Sequence, residues 1–390
     1  ATGRAAAAPL VVVEPPTPTA APAVEGALDG GLTDEQLAVV RDRSAPVLRV
    51  MAGPGSGKTR TIIARVAELV QNRGVAPGHI ALVTFTRKAA EELNVRLRGA
   101  LGAQVAEGTF AGTFHSLSAK LLRSYFHLAD RASDPTSRLS WLSKDFRIME
   151  EEERDRIFMQ ALRREEGENP GGPAERPTRG TARLTRSKAF KELISFVKNR
   201  IDTTHGLSRT ELLTNLRRLA PFHNHLGQLL QEDDKQFGGP GSSNSSSSSS
   251  SIIGSKDNGK GRMRKTELQR FLTTLELYDE QVKISGGVDF DDLVGLAVAL
   301  MQQPDARRAA ARAFRHILVD EFQDTNLPQY RLVRLLQSEG SELFLVGDAN
   351  QAIYTWRGAL PEDVRGDGGY GRYGDMLTAV EPPDEDQLQT

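Results

Sequence analysis

An apolar run, Val47-Leu48-Arg49-Val50-Met51, passes directly into Ala52-Gly53-Pro54-Gly55-Ser56-Gly57-Lys58-Thr59 and then into an amphipathic stretch from Arg60 to Leu69. A strand, a glycine-rich turn and a helix start in that order leave few folds open, because together they make a cradle for phosphate. Glycines bring backbone N–H groups onto anionic oxygens with no Cβ in the way, and the helix N-terminus adds positive potential. Lys58 would reach the β- and γ-phosphates of a nucleotide, and the Thr59 hydroxyl would ligate Mg²⁺. The strict pattern has glycine where Ala52 stands. Gly53, Gly55 and Gly57 remain in the turn, so Ala52 reads as a tolerated variant rather than the mark of a plain connecting loop.

The 390 residues leave room for two or three domains. The formal net charge of −1 argues only weakly against a nucleic-acid partner, since binding depends on a local basic stripe. With no cysteine, disulfides, cysteine-ligated zinc and iron–sulfur clusters are excluded. No apolar run approaches the ~20 residues needed to span a bilayer, which points to a soluble, intracellular type of protein. The chain starts at Ala1 rather than at methionine, as a fragment or processed chain would. Residues 1–31 are Ala- and Pro-rich and read as a disordered leader. Arg4 is the leader's only basic residue, which with Glu14 and Glu25 argues against an organelle-targeting segment.

From Leu32 to about Tyr125, short apolar runs alternate with longer amphipathic ones. Val47–Met51 and Ile80–Phe85 read as buried parallel strands and Lys88–Leu101 as a helix. Between 126 and 284 the strand signal disappears, and Glu151–Arg164, Ser187–Arg200, Arg209–Leu219 and Lys265–Lys283 have helical spacing. Polar, Gly- or Pro-rich joints such as Glu168–Gly180 separate them. Gly238–Gly261, with its serine tract, reads as a flexible insertion. The alternation resumes from 285 to 360: a helix over Val288–Met301, a strand at His316–Val319, a helix at Leu327–Leu336 and a strand at Leu343–Val346. Residues 361–390 are acidic, lack periodicity and read as disordered. The simplest fold is an α/β domain with a parallel sheet and helices on both faces, interrupted by a helical insertion.

A phosphate cradle needs an acidic residue at the end of a neighbouring strand to hold Mg²⁺. His316–Val319 ends in Asp320-Glu321. Asp320 would sit in the metal's shell, leaving Glu321 to orient and deprotonate an attacking water. Phe322-Gln323-Asp324-Thr325-Asn326 follows with amides and a carboxylate suited to relaying a change of phosphate state. A third strand ends in Val346-Gly347-Asp348-Ala349-Asn350-Gln351, placing Gln351 where it can hydrogen-bond a γ-phosphate. Tyr354, Trp356 and Arg357 follow closely. The two aromatics either stack on bases, each worth ~1–3 kcal/mol, or cap the core. Thr84-Phe85-Thr86-Arg87-Lys88 and Gly112-Thr113-Phe114-His115-Ser116 each bring hydroxyls to a helix N-terminus, an arrangement that can hold a phosphodiester backbone.

These segments, in this order, resemble the N-terminal half of a superfamily 1 DNA helicase of the UvrD/Rep/PcrA type. The matching strings are Leu32-Thr33-Asp34-Glu35-Gln36, AGPGSGKT from Ala52, TFTRKAAEEL from Thr84, GTFHSL from Gly112, DFDDL from Asp289, VDEFQDTN from Val319 and VGDANQAIYTWRGA from Val346. The resemblance covers residues 32 to 360 and is weak between 130 and 285, where the family carries its helical 1B subdomain. It implies a RecA-like P-loop NTPase core and, as ligands, ATP with Mg²⁺ and single-stranded and duplex DNA. It implies that Gln36 reads the adenine, that Lys58, Thr59, Asp320 and Glu321 take the parts given above, and that Gln351 senses the γ-phosphate. Phe85, Lys88, His115, Tyr354 and Trp356 would line the single-strand track, and Arg357 would couple the two sites. Arg87, Asn350 and Ala352 depart from the usual Asn, Asp and Ser.

The resemblance implies an ATP-dependent, 3′→5′ DNA helicase of repair or replication. No counterpart of the family's second RecA-like domain is readable after Pro361, so that domain would have to follow in cis if the chain is a fragment. Such a fragment would bind ATP–Mg²⁺ weakly, hydrolyse it slowly and not unwind duplex DNA. Two other readings stay open: a short non-motor module that binds single strands or regulates a helicase, and the motor part of a helicase–nuclease. The serine tract hints at a eukaryotic source, for which the nucleus is the expected compartment and an organelle the alternative.

Overall fold

A computed structural model describes residues 11–13, 31–129, 139–167, 180–201, 204–205, 207–237, 265–337, 341–348 and 351. Along the chain its elements are β1 (Val11–Val13), α1 (Asp34–Arg41), β2 (Val47–Met51), α2 (Lys58–Ala67), β3 (Ile80–Thr84), α3 (Arg87–Leu101), α4 (Ala103–Gly108), β4 (Phe110–Thr113) and α5 (Phe114–Tyr125). Then come β5 (Arg147–Ile148), α6 (Glu151–Glu166), α7 (Gly180–Lys198), α8 (Arg209–Leu219), α9 (Asn224–Phe237), α10 (Glu267–Ser285) and β6 (Gly287–Val288). The last are α11 (Leu293–Met301), α12 (Pro304–Ala313), β7 (His316–Val319), α13 (Leu327–Leu336) and β8 (Glu342–Gly347).

The chain divides into two compact units, one of residues 1–146, 198–203 and 290–390, the other of 147–197 and 204–289. In the first, six strands form one sheet in the order β1-β2-β8-β7-β3-β4, every pair parallel. Helices α1 to α4 lie on one face, and α5, α11, α12 and α13 on the other. Side chains alternate accordingly. Leu48, Val50, Ile80, Leu82, Leu318, Phe344 and Val346 pack with Ile62, Val66, Leu93 and Leu97 of α2 and α3. Their strand neighbours Ala81, Val83, Ile317, Val319, Leu343 and Leu345, also buried, point to the other layer. Arg49 shares that second face, with its guanidinium 5.6 Å from the centre of the Phe322 ring. This is the RecA-like α/β P-loop arrangement expected from the sequence.

Three local expectations change. The leader is not wholly without structure, because three consecutive valines, whose branched Cβ favours extended backbone, form the edge strand β1. The helix expected over Val288–Met301 begins only at Leu293, after β6 and a 3₁₀ turn at Phe290–Asp292. The third change is the lateral order. The cradle strand β2 and the acid-bearing strand β7, expected side by side, have β8 between them. Crossover helices join all of these strands, so nothing in their spacing along the chain fixes which lie adjacent.

The second unit is helical apart from the short β5–β6 pair. Helices α6 and α10 pack together, with Phe158 edge-on to Tyr278, and Phe190 of α7 is edge-on to Phe271 of α10. Its buried Glu165 is paired with both Lys265 and Arg270. Gly238–Gly261, the joint at 168–179 and residues 361–390 lie outside the described residues. Among the described residues, no helix is long and apolar enough to cross a membrane.

Candidate functional site

Because every strand of the sheet is parallel, all C-terminal ends meet at one edge, where ligands of open α/β sheets bind. In spatial order from β2, that edge carries the cradle, Gly347-Asp348, Asp320-Glu321, Phe85 and finally the start of α5.

The cradle turns on two glycines in left-handed backbone, Gly55 at φ 71° and Gly57 at φ 86°, where a side chain would be strained. Gly57 is the N-cap of α2 and offers no side chain to close it, so the first N–H groups of the helix remain for an anion. The loop is braced from within by Ser56, whose hydroxyl donates to the Gly53 carbonyl at 2.7 Å. Ala52 N–H donates to the Gly347 carbonyl at 3.0 Å, which fixes the loop's entry against β8. Gln36 braces it from outside. Its Nε2 donates to the Ser56 carbonyl at 2.6 Å, while its Oε1 accepts from Thr33 N–H in the capping box of α1. The amide expected to read adenine is thus also a prop under the phosphate loop.

Lys58 is the first residue of α2. Its Nζ is buried without a hydrogen-bond partner and lies 3.4 Å from Glu321 Oε2. A buried ammonium with unused donors is what a phosphate group would satisfy, so the loop fits a nucleotide. Thr59, half-buried in the same turn, and Asp320, buried at the end of β7, supply the oxygen donors that Mg²⁺ prefers. Asp320 is tied to β3 through its own N–H, which donates to the Val83 carbonyl at 2.8 Å. Burial, and then the neighbouring Glu321 charge, push the Asp320 carboxyl up to about 6. A dication held there would reverse that, keeping the carboxylate ionised.

Glu321 occupies left-handed backbone, φ 52° and ψ 47°, the only non-glycine with positive φ among the described residues. Such a conformation costs on the order of 1–3 kcal/mol and clusters at functional sites. Its Oε2 accepts from Gln323 Nε2 at 2.8 Å. Gln323, fully buried, accepts with Oε1 from Asp348 N–H at 2.9 Å. Gln351 Nε2 in turn donates to Asp348 Oδ2 at 2.9 Å. An unbroken polar line therefore runs from Gln351 through Asp348 and Gln323 to Glu321 and Lys58. Gly347 makes it fit, since a Cβ there would stand 2.7 Å from Gln323 Oε1. In the sequence Gln323 carries only a general relay part and Asp348 none. Both were readable only as polar residues beyond strand ends.

Strands β3 and β4 end in register, Thr84 opposite Thr113. Each then opens a helix capped by a threonine: Thr86 accepts from Ala89 N–H and Thr113 from Ser116 N–H. Phe85 is half-buried there and Lys88 exposed, in a first turn that holds no acidic residue. His115 lies in the first turn of α5 with its ring stacked on Phe290, centroids 3.8 Å apart and planes 15° from parallel. Phe290 was not singled out from the sequence. Tyr354, Trp356 and Arg357 lie outside the described residues.

Residues 32–365 match the UvrD/REP helicase N-terminal domain. The chain belongs to that family. It is 29% identical over 340 residues to the ATP-dependent DNA helicase PcrA of Leuconostoc citreum, covering 86% of this chain and 35% of that protein. It is 30% identical over 321 residues to Rep of Escherichia coli K12, 81% of this chain and 36% of that one. It is 31% identical over 360 residues to UvrD1 of Mycobacterium tuberculosis H37Rv, 90% of this chain and 36% of that one. The UvrD/REP-type chain thus spans about a third of the length of the curated relatives it matches.

Proposed function

We propose that this UvrD/REP-type domain is the ATP-binding part of a motor that moves 3′→5′ along single-stranded DNA in repair or replication. The observation that carries the reading is the buried, hydrogen-bond-free ammonium of Lys58, set in a loop of left-handed glycines and 3.4 Å from Glu321. Lys58 and the first N–H groups of α2 would bind the phosphates, with Gln36 at the adenine. Thr59 and Asp320 would hold Mg²⁺, which when bound neutralises phosphate charge. Glu321 would take the proton from the attacking water, and Gln351 would report the γ-phosphate. Phe85, Lys88 and His115, at the far end of the same sheet edge, would meet the DNA strand together with Tyr354 and Trp356.

The relatives named as helicases are about two and a half times as long. Translocation needs two domains that close and reopen around the nucleotide, and charged groups from a second domain are worth ~10³–10⁵ in rate in related P-loop enzymes. These 390 residues by themselves are therefore expected to bind ATP–Mg²⁺, hydrolyse it slowly and leave duplexes intact. Equilibrium binding of a fluorescent ATP analogue to the parent and to Lys58→Ala tests the reading. The variant should retain its circular dichroism spectrum and melting transition and lose nucleotide binding. Equal affinity in the two proteins would remove the cradle assignment, and robust ATP-driven strand separation by these residues alone would remove the expectation that they leave duplexes intact.

A further inference from the structure

From the segment that begins at Asp320, a second polar line runs to His115, joined through Asn199, a residue that no motif contains. Asn326 closes the stretch that begins at Asp320 and caps α13: its Oδ1 accepts from Gln329 N–H at 3.1 Å. With that oxygen engaged by a backbone donor, its Nδ2 faces away and donates to Asn199 Oδ1 at 3.1 Å. Asn199 Nδ2 then donates to Asp291 Oδ1, also at 3.1 Å. A backbone N–H at one end and a carboxylate at the other set the orientation of each amide along these three bonds. Beside Asp291 in sequence, Phe290 stacks on His115, and Asp292 receives the buried Lys198 Nζ at 2.7 Å.

The near end of this line is tied to the chemistry. Glu321 and Asn326 are joined by one 3₁₀ turn, in which Asp324 N–H donates to the Glu321 carbonyl and Thr325 N–H to that of Phe322. So short a turn carries a change in the left-handed backbone of Glu321 to Asn326 as one piece. The far end holds the ring at the start of α5, beside Phe85 and Lys88 at the end of β3.

We propose that Asn199 is a positioning residue that couples the state of the nucleotide site to the DNA-facing end of the sheet, by holding Asp291 and Phe290 in register with Asn326. Asparagine suits the task because one short, planar group both accepts and donates, which a carboxylate of the same size cannot do. The inference rests on the proposed function, since it supposes that the β3–β4 end meets single-stranded DNA.

The test is thermodynamic linkage in the full chain. The affinity for a labelled oligothymidylate is measured with and without saturating Mg²⁺ and a non-hydrolysable ATP analogue, and the affinity for the analogue with and without oligomer. If the sites are coupled, the two ratios are equal and differ from one, on the order of 5–150-fold. Asn199→Asp keeps the acceptor for Asn326 but sets a carboxylate against Asp291. Asn326→Asp keeps the cap on Gln329 but sets an oxygen against Asn199 Oδ1. Both should bring the ratio to about one while each ligand, added alone, binds as it does to the parent, a split that simple loss of packing does not produce. Should Asn199→Asp fail to fold, Asn326→Asp decides, because its helix cap is retained. Parent-like coupling in Asn326→Asp overturns the relay and leaves the proposed function standing. A parent that binds the oligomer with a ratio of one overturns the relay and leaves the proposed function standing, whereas a parent that binds no oligomer overturns the proposed function and the relay with it.

Discussion

The ammonium of Lys58 lies 3.4 Å from the Glu321 carboxylate although a whole strand, β8, separates the strands that carry them. Two strand spacings are about 10 Å, a gap closed by the length of the two side chains. The proposed grip on phosphate and the proposed base for water are thereby carried by strands on either side of β8, each charge able to neutralise the other.

Glu321 is held in backbone that glycine adopts without cost. Glu321→Gly should raise stability by ~0.5–1 kcal/mol while hydrolysis falls by ~10²–10⁴ through loss of the proposed base. Urea midpoints and phosphate release check the two halves. A lower midpoint would mean that the Lys58 pair outweighs the backbone strain.

Gly347 leaves room for Gln323. Gly347→Ala places a Cβ 2.7 Å from Gln323 Oε1 and 3.3 Å from its backbone nitrogen, an overpacking expected to cost ~1–3 kcal/mol. Because Gln323 positions Glu321, kcat should drop more than nucleotide affinity. Melting curves and steady-state ATPase assays make the comparison, and an unchanged kcat would detach Gln323 from the chemistry.

At the opposite end of the sheet, Glu342 of β8 meets Arg65 at 2.8 Å, Arg73 at 3.0 Å and the His316 ring at 3.5 Å. Burial alone would raise its carboxyl, but His316, Arg65 and Arg73 outweigh it and bring it down to about 2. A depressed carboxyl stabilises the fold above its unfolded value near 4.5, and that contribution disappears as pH falls toward 2. The shift amounts to about 3 kcal/mol unscreened; water at the partly open carboxylate reduces it to ~1–2 kcal/mol. Glu342→Gln should lose that much at pH 7 and show a shallower decline between pH 4.5 and 2 in urea unfolding. An acid limb as steep as the parent's would place the titration elsewhere.

Lys88 is exposed beside Phe85. If it meets a phosphate, Lys88→Ala weakens single-strand binding for every sequence alike and lowers the slope of log K against log salt by ~0.7. An unchanged slope puts the strand elsewhere. Trp356→Ala is expected to weaken single-strand affinity more than ATP affinity, and equal single-strand binding would remove Trp356 from the DNA contacts.

Much of this site was legible because its residues sit on single, local signals. Gly53 to Thr59 follow one strand and open one helix, and Asp320-Glu321 end another; the spans Val47–Met51, Arg209–Leu219 and Leu327–Leu336 come directly from apolar spacing. What stayed hidden depends on lateral neighbours. The place of β8, the Gln323–Asp348 bond and the stacking of Phe290 on His115 join segments far apart in sequence, whose pairing leaves no periodic trace. Asn199 is the clearest case: one polar residue just past the end of α7, given meaning only by Asp291 and Asn326 arriving beside it.

The insertion of β8 between β2 and β7 also bears on how the chain comes off the ribosome. The inner edge of β2 has no hydrogen-bonding partner until residues 342–347 are made, long after β2 itself and every other strand of the sheet have emerged. Native closure of the sheet is then a long-range event, slow by its topology, and the waiting strands form an apolar surface open to misassociation. A nascent chain halted before β8 should be a strong client for chaperones, and its release should coincide with the synthesis of that one strand.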